Sequence, residues 1–288
     1  MKILVVGDFQ GKFPEKLKKK IAKEEFDFVI GVGDYTGGDY WRPYLKYQFR
    51  ESEKGKSMAD LKTPEEFFGK KKLRGMEKTD IECGKKVLNE LNKLGKKVYF
   101  VFGNTDDGWY DYPFSRKMKA KKSLKNFVGN KKNLFEMTYR NRKFKDLGLS
   151  GFGGYMDLKW YLKKKGDSKE VNQRRLKRIV NSRKLFFKNL KRLSGKQKIF
   201  VLHYPPKGVF DIIKDKGNAH SGKSSGIEFF TEAIRKYNPR LVLCGHMHEY
   251  QGVKKIGQSL VVNPGDAGEG KAAVIDIDEK GTKVRFIK

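Results

Sequence analysis

The sequence predicts an α/β fold, and three observations lead to that prediction. Short apolar runs rich in Val, Ile, Leu and Phe recur from the N-terminus as far as Cys244, as expected for strands that are buried on both faces. Longer segments whose apolar residues follow helical spacing lie between these runs. After residue 249 the pattern changes to short strands and turns.

Each apolar run leads directly into a polar turn that contains Gly, Asp, Asn or His. The predicted buried strands are Lys2–Val6, Phe26–Val32, Val98–Phe102, Ile199–Leu202 and Leu241–Cys244. Side chains that follow the carboxyl ends of such strands converge on one crevice of an open α/β sheet. The sequence therefore predicts a functional site at that edge.

Helices and C-terminal strands complete the predicted order of elements. The predicted helices are Pro14–Lys23, Asp80–Leu94, Lys169–Leu193 and Gly226–Tyr237. The predicted C-terminal strands are Gly252–Ile256, Ser259–Asn263, Ala272–Ile277 and Lys283–Ile287. Their close succession favours an antiparallel meander.

The composition excludes a disordered basic chain. The net charge is +31, but the 288 residues include 21 Phe and 13 Tyr, so the chain folds with a strongly cationic surface. Residues 113–145 carry 12 basic residues and one acidic residue, and residues 156–198 carry 16 basic and three acidic residues. Such segments attract polyanions, including nucleic acid and phosphorylated substrates. A general lysine bias of the host's proteins is the alternative explanation.

Cysteine use and hydropathy bear on the compartment. Cys83 and Cys244 lie far apart and form no CxxC pattern, which favours a reducing compartment. The apolar run at residues 3–6 is too short for a signal peptide, and no apolar stretch approaches the length that crosses a bilayer. These features predict a cytoplasmic protein.

The residues after the five strands are of types that bind divalent transition metals. Two carboxylates, one amide and three imidazoles suit a pair of such ions better than magnesium or calcium. They are Asp8, Asp34, Asn104, His203, His246 and His248. Taken singly, the Asp and Asn residues fit a turn or a helix cap equally well. His246 and His248 would point to opposite faces of a regular strand, unless the backbone after Gly245 is irregular.

The ordered motifs resemble the calcineurin-like metallophosphoesterase superfamily, in particular its small prokaryotic phosphodiesterase-type members. The motifs are Asp8-Phe9-Gln10-Gly11, Gly33-Asp34, Gly103-Asn104-Thr105-Asp106, His203-Tyr204-Pro205-Pro206, Gly245-His246-Met247-His248 and Asn263-Pro264-Gly265. The resemblance implies a four-layer α/β/β/α sandwich. It also implies a single domain, residues 1–288, with weakly matched or enlarged insertions at about 40–80, 108–145 and 156–196.

The resemblance also implies roles for individual residues. Asp34 would bridge two ions, Asp8 and His248 would bind the first ion, and Asn104, His203 and His246 the second. A hydroxide held between the ions would attack the phosphorus atom in line. The ions would be manganese or iron, with zinc and nickel as alternatives.

Two positions depart from the family pattern. Gln10 stands where the first motif usually has His, so the first metal site is expected to bind its ion more weakly. Thr105 stands where the phosphomonoesterase branches have a His that protonates the leaving group. The general acid is therefore unassigned, and His220 and Asp106 are the candidates for catalytic roles. His220 would contact the substrate phosphate or donate a proton, and Asp106 would position Asn104 or a water.

The function predicted from these features is hydrolysis of a phosphate ester, with phosphodiesters favoured by the absent histidine. A nucleic-acid-processing enzyme on the same core is one alternative. It predicts that the two basic segments form one continuous face leading to the crevice. A non-catalytic metal- or phosphate-binding relative is the other alternative. The sequence predicts no oligomeric state.

Overall fold

Two six-stranded mixed sheets form the centre of the molecule. The computed structural model describes residues 1–56, 60–106, 120–163, 167–216 and 220–288. The strand order is β12-β11-β1-β2-β3-β4 in the first sheet and β5-β6-β7-β8-β10-β9 in the second. The strands are β1 Lys2–Val6, β2 Phe28–Gly31, β3 Val98–Phe100, β4 Leu134–Glu136, β5 Asn141–Phe144, β6 Leu147–Phe152, β7 Gln197–Leu202, β8 Leu241–Leu243, β9 Gly252–Ile256, β10 Ser259–Asn263, β11 Ala272–Ile277 and β12 Thr282–Ile287.

Helices cover the outer face of each sheet. The helices among the described residues are α1 Glu15–Ile21, α2 Arg42–Glu53, α3 Pro64–Phe68, α4 Lys70–Lys93, α5 Ala120–Gly129, α6 Lys169–Lys191 and α7 Glu228–Tyr237. One buried apolar cluster joins α1, α4 and α5 to the first sheet. A second joins α6 and α7 to the second sheet. A third lies between the sheets and unites side chains such as Val5 and Val201. The layers are therefore α/β/β/α, which confirms the predicted fold class.

The C-terminal strands do not form the predicted meander. β9 and β10 pair as an antiparallel hairpin in the second sheet, where β10 also pairs parallel with β8. β11 and β12 form another hairpin in the first sheet, where β11 pairs with β1. The prediction was wrong because strand spacing along the chain does not report which sheet a strand joins. The chain crosses between the sheets at residues 264–271.

Several helix and strand predictions needed correction. The predicted helix Asp80–Leu94 begins ten residues earlier, at Lys70, because capping by Thr63 and the turn at Gly69 place α3 directly before it. The helices α2, α3 and α5 and the strands β4, β5 and β6 were not predicted. β6 is buried along its whole length although it contains two glycines. Its sequence therefore lacks the continuous run of bulky apolar residues that marked the other strands.

The strands that precede the predicted site run in parallel within each sheet. β1 pairs parallel with β2, and β2 with β3. In the second sheet β6, β7 and β8 are parallel neighbours. Parallel strands bring their carboxyl ends to one edge, so the turns after β1, β2, β3, β7 and β8 can meet there.

The helices of the two basic segments, α5 and α6, lie on opposite outer layers, whereas β5 of the first segment belongs to the second sheet. Leu124 and Val128 of α5 pack on the first sheet, whereas Phe186 and Leu190 of α6 pack on the second. Residues 113–119 and 164–166 of these segments lie outside the described residues. The two segments nevertheless touch, because the Asn141 side chain donates to the carbonyl oxygen of Asn189 in α6. No helix in the described part of the chain is long and apolar enough to span a membrane.

Candidate metal centre

Four of the predicted ligand residues adopt left-handed backbone conformations. The φ angles are 55° at Asp8, 48° at Gln10, 56° at Asp34 and 68° at His246. Non-glycine residues seldom adopt positive φ, and such strain concentrates at functional sites. The turn at His246 also removes the alternation of a regular strand. His246 and His248 therefore reach the same crevice.

Two glycines permit the close approach of the turns. A Cβ atom at Gly103 would lie 2.1 Å from Asp34 Oδ1, and one at Gly245 would lie 2.7 Å from Asp8 Oδ2. Any larger residue at either position would displace a carboxylate. The carboxyl ends of the two sheets thus meet tightly, and seven predicted site residues collect in one crevice. We divide them into an inner subsite (Asp34, Asn104, His203 and His246) and an outer subsite (Asp8, Gln10, Asp34 and His248).

The inner subsite is the more enclosed of the two. His203 Nε2 lies 2.7 Å from Asn104 Oδ1 and 3.5 Å from Asp34 Oδ1. His246 Nδ1 lies 2.8 Å from the same Asn104 oxygen. Asp34, His203 and His246 each offer one ligand atom within 4.8 Å of the others, which is a spacing that could hold a metal ion.

The protonation of His203 supports a cation at the inner subsite. Its Nδ1 lies 2.8 Å from the backbone carbonyl oxygen of Val32. Because a carbonyl only accepts hydrogen bonds, Nδ1 carries the proton of the neutral ring and Nε2 presents a lone pair. That lone pair faces the acceptor Asn104 Oδ1 at 2.7 Å. Two acceptors this close repel each other, and either a proton on Nε2 or a cation bound by both atoms would remove the repulsion.

The outer subsite opens towards solvent. Asp8, Asp34 and His248 form a second group whose ligand atoms lie within 4.8 Å of one another. The side chain of His248 is 39% exposed, whereas Asp8 is fully buried. Gln10 Nε2 donates to Asp34 Oδ2 at 3.3 Å and lies 3.4 Å from His248 Nε2. The Gln10 amide is therefore at the subsite, with its nitrogen rather than its oxygen facing the predicted ligands.

A buried carboxylate oxygen without a partner marks the outer subsite. Asp8 Oδ1 accepts from the backbone N–H of His246 at 3.0 Å, but Asp8 Oδ2 has no hydrogen-bond partner among the described residues. Burial, followed by the nearby Asp34 and Asp266, raises the pKa of Asp8 well above its usual range. A divalent cation would offset both the burial and the repulsion. The residues present therefore fit a metal ion.

Desolvation in the crevice also keeps the imidazole of His246 neutral. Burial lowers the pKa of His246 well below its usual value, and the neighbouring His203 and His248 add to this shift. A metal ligand must be the neutral imidazole. His246 is thus held in the protonation state that ligation requires.

Asp106 and Thr105 lie behind Asp34. The carboxylate of Asp106 accepts from the backbone N–H groups of Asp34, Tyr35, Thr36 and Gly103 at 2.8 to 3.0 Å. Burial, followed by the charge of Asp34, raises its pKa to about 7, whereas these donors oppose the shift. The Thr105 hydroxyl lies 2.9 Å from Asp34 Oδ1 and 3.0 Å from the Thr36 carbonyl oxygen. Both residues fix the turn that carries Asp34.

His220 is placed in an aromatic cluster. Its ring centroid lies 4.6 Å from that of Trp160 and 5.1 Å from that of Phe49. Residues 217–219 directly before it lie outside the described residues. Neither ring contact involves a residue of the two subsites, and the contact of His220 with a substrate phosphate stays a prediction.

Three residues to which the sequence analysis gave no role in the site contact the predicted ligands. The ring of Tyr204 lies 4.0 Å from that of His246, and Ser225 Oγ lies 3.1 Å from His246 Nε2. Asp266 Oδ2 lies 3.5 Å from His248 Nδ1. Asp266 directly follows the motif Asn263-Pro264-Gly265 and could have been found there. Ser225 carries no local signal.

A strand-end crevice with two overlapping Asp/His clusters defines the molecule as an α/β protein with a candidate dinuclear metal centre. The family model of the metallophosphoesterases of the calcineurin superfamily matches residues 1–287. The chain therefore belongs to the calcineurin metallophosphoesterase superfamily. Membership implies a site for two divalent metal ions and supports a metal-dependent phosphoesterase.

Solved structures show the same fold at low sequence identity. One crystal structure with 20% identity covers 100% of this chain and 99% of its own chain, with a TM-score of 0.64. The protein TT1561 of Thermus thermophilus has 17% identity and a TM-score of 0.53, with coverage of 99% and 97%. At these identities the likeness shows the fold alone. No curated protein sequence matches the chain.

Proposed function

We propose that the chain is a metal-dependent phosphoesterase with two metal ions that share Asp34. The observation that carries this proposal is that Asp34 belongs to both three-residue groups with metal-binding spacing. Asp34 would bridge the two ions. Asp8 and His248 would hold one ion, which Gln10 would also bind once its amide turns to present the oxygen instead of the nitrogen. Asn104, His203 and His246 would hold the other ion. When bound, such ions supply Lewis-acid activation of water and neutralise phosphoryl charge.

The protein's own residues prepare the site for this chemistry. Asp106 holds the turns that carry Asp34 and Asn104 through four backbone N–H groups. We therefore assign Asp106 to positioning rather than to proton transfer. His203 and His246 orient their ligand nitrogens through contacts of the opposite ring nitrogen. The ligand set of imidazole, carboxylate and amide favours manganese or iron, with zinc and nickel as alternatives.

Phosphodiesters are the proposed substrate class. The hydroxyl of Thr105, which replaces the leaving-group histidine, is buried between Asp34 and Thr36. Its single proton is directed at these two acceptors. Phosphoryl transfer from a monoester passes through a loose transition state with much negative charge on the leaving oxygen. A diester has a tighter transition state, so at an equal leaving group it needs less help from an acid. No specific contact supports a nucleic-acid substrate or a non-catalytic role. The cytoplasmic location and the single-domain organisation stay predictions.

The experiment compares a diester with a monoester at equal leaving-group chemistry. Hydrolysis of bis-p-nitrophenyl phosphate and of p-nitrophenyl phosphate should be measured with Mn²⁺, Fe²⁺, Zn²⁺ and Ni²⁺ after chelation. We expect faster turnover of the diester with at least one metal, and none with chelator. Two bound ions without turnover of either ester would support the non-catalytic alternative instead.

A further inference from the structure

Each of the three histidines in the crevice points one ring nitrogen at the subsites and the other ring nitrogen at an oxygen atom behind the ring. That oxygen is the Val32 carbonyl for His203, Ser225 Oγ for His246 and Asp266 Oδ2 for His248. The ring nitrogen that faces the ligands is Nε2 in His203 and His248 but Nδ1 in His246. A fixed tautomer is therefore required at each ring, and it is not the same one.

Ser225 is held firmly in place behind His246. The residue is 4% exposed, and its backbone N–H donates to the Asp211 carbonyl oxygen at 2.6 Å. The hydroxyl of the preceding Ser224 donates to the Asp211 carboxylate. At Gly226 a Cβ atom would lie 2.6 Å from Lys207 Cα, so the loop packs closely against the chain after β7. This anchoring fixes the position of the Ser225 hydroxyl.

The Ser225 hydroxyl can select the tautomer of His246. Nδ1 must present its lone pair to bind a cation, so the proton must reside on Nε2. Ser225 Oγ lies 3.1 Å from His246 Nε2 and can accept a hydrogen bond from the Nε2–H group. Without the hydroxyl, the partly buried Nε2–H would lose its acceptor, which costs free energy. The ring would then place its proton on Nδ1, where it can donate to Asn104 Oδ1, and that proton would block the cation.

Asp266 can act on His248 in the same way. It is 6% exposed and caps a 3₁₀ turn, where its Oδ1 accepts from the Glu269 N–H at 3.1 Å. Its Oδ2 lies 3.5 Å from His248 Nδ1. A carboxylate behind a ligand imidazole fixes the tautomer and raises the basicity of the other nitrogen. This contact strengthens the subsite in which Gln10 replaces a stronger imidazole ligand.

We propose that Ser225 and Asp266 are positioning residues that dedicate His246 to the inner cation through Nδ1 and His248 to the outer cation through Nε2. The proposal deepens the proposed function, on which it rests. It predicts that each residue acts on one ring and one subsite. The two substitutions are therefore controls for each other.

The first test reads the tautomers directly in the metal-free protein. The chain has four histidines, so selective ¹⁵N-histidine labelling gives four rings in a long-range ¹H–¹⁵N correlation spectrum. We expect His246 protonated on Nε2 in the unaltered protein and in Ser225→Thr, and a shift towards Nδ1 in Ser225→Ala. In Asp266→Ala the change should appear at His248 only. An unchanged His246 tautomer in Ser225→Ala would overturn the assignment of Ser225.

The second test measures Zn²⁺ binding by calorimetry. Removal of an outer partner of a metal-bound His weakens binding by about 10- to 100-fold. We expect a loss of this size at one of two ions in Ser225→Ala and at the other in Asp266→Ala. Ser225→Thr should restore binding. Asp266→Asn, which keeps the cap and an acceptor oxygen, should hold the His248 tautomer and lose less affinity than Asp266→Ala.

Ser259→Ala is the matched control. Ser259 is fully buried at the start of β10, and its hydroxyl has no hydrogen-bond partner among the described residues. It should leave both tautomers and both affinities unchanged. If the unaltered protein binds two Zn²⁺ ions but Ser225→Ala and Asp266→Ala bind them equally well, the positioning proposal is wrong. If the unaltered protein binds fewer than two ions, the proposed function fails, and the tautomers still decide the roles of Ser225 and Asp266.

Discussion

The inner and outer subsites share Asp34 but differ in how firmly their other side chains are held. In the inner subsite, His203 is fully buried and tied to a backbone carbonyl in the turn after β2. In the outer subsite, the side chain of His248 is 39% exposed and is backed by a carboxylate at 3.5 Å. The strand-end turns therefore hold the ligands of the inner subsite in place before an ion binds. The outer subsite depends on side chains that water can reach.

This difference indicates how the two cations should behave. A rigid set of ligands loses little conformational entropy on binding, whereas a partly exposed ring must be ordered. Gln10 adds to the difference, because a neutral amide is a weaker ligand than imidazole for transition metals. We expect the inner ion to bind more tightly and the outer ion to exchange more readily.

Removal of the shared ligand should have the largest effect. Asp34→Ala takes a carboxylate from both subsites, so both ions should be lost. Because the metals supply several kcal/mol to such reactions, turnover of bis-p-nitrophenyl phosphate should fall by about 10³-fold or more. Asp276→Ala, at the opposite end of the first sheet, is the control. Full activity of Asp34→Ala would contradict the bridging role.

Single-subsite substitutions should separate the two regions. His203→Ala should remove the tightly bound ion and also lower the free energy of unfolding of the chelated protein by about 1–3 kcal/mol, because a buried hydrogen-bonded group is lost. His248→Ala should remove the weaker ion with little change in that stability. Metal analysis and denaturant titration measure both effects. Equal destabilisation by the two substitutions would remove the distinction between the subsites.

The Gln10→His substitution should make the outer subsite more like the inner one. An imidazole at this position should tighten the weaker of the two Mn²⁺ or Zn²⁺ binding steps by about tenfold, which corresponds to about 1.4 kcal/mol. The tighter step should not change. Calorimetric titration of the chelated protein measures the two steps. No gain in affinity would indicate that Gln10 does not contact the outer ion.

The pH dependence of the metal-free protein should show the smallest effect. Burial raises the pKa of Asp8 and Asp106 in the folded state, the latter to about 7. The folded chain therefore binds more protons than the unfolded chain between the unfolded pKa and about pH 7, so its stability should rise as pH falls from about 8 towards about 5.

The expected rise in Tm is a few degrees, measured by thermal denaturation with chelator present. The control is the same protein saturated with Mn²⁺. There the carboxylates are neutralised by the ions, and the trend should reverse as acid displaces them. If the chelated protein instead becomes less stable as the pH falls from about 8 to about 5, the pKa values of these buried carboxylates are not raised in the metal-free fold.

Local patterns were sufficient to locate the strands that carry the site and several others. Four strands were predicted to the residue, because a short apolar run between turns has few other structures available. They are Lys2–Val6, Gly252–Ile256, Ser259–Asn263 and Ala272–Ile277. The strand β6 and the helices α2, α3 and α5 were missed. Their apolar residues are sparse or their glycines frequent, so contacts with other layers decide their conformation.

Part of the candidate site could also be predicted from local sequence patterns. The residue types after the strand ends, such as Asp34 and His203, were visible in the sequence, and the structure brings all seven predicted ligand residues into one crevice. The orientation of the Gln10 amide and the burial of the Thr105 hydroxyl were not visible. Both depend on contacts with Asp34, which follows a different strand of the same sheet.

The sequence by itself determined the fold class, the polar turn after each site-bearing strand and the chemical types of the ligands. These properties follow from residue order within a few positions. Only the tertiary structure decided that the C-terminal hairpins join different sheets, that α5 and α6 lie on opposite layers, and that Ser225 and Asp266 stand behind two histidines. Such contacts join residues far apart along the chain, and they are selected by the packing of whole layers rather than by any local period.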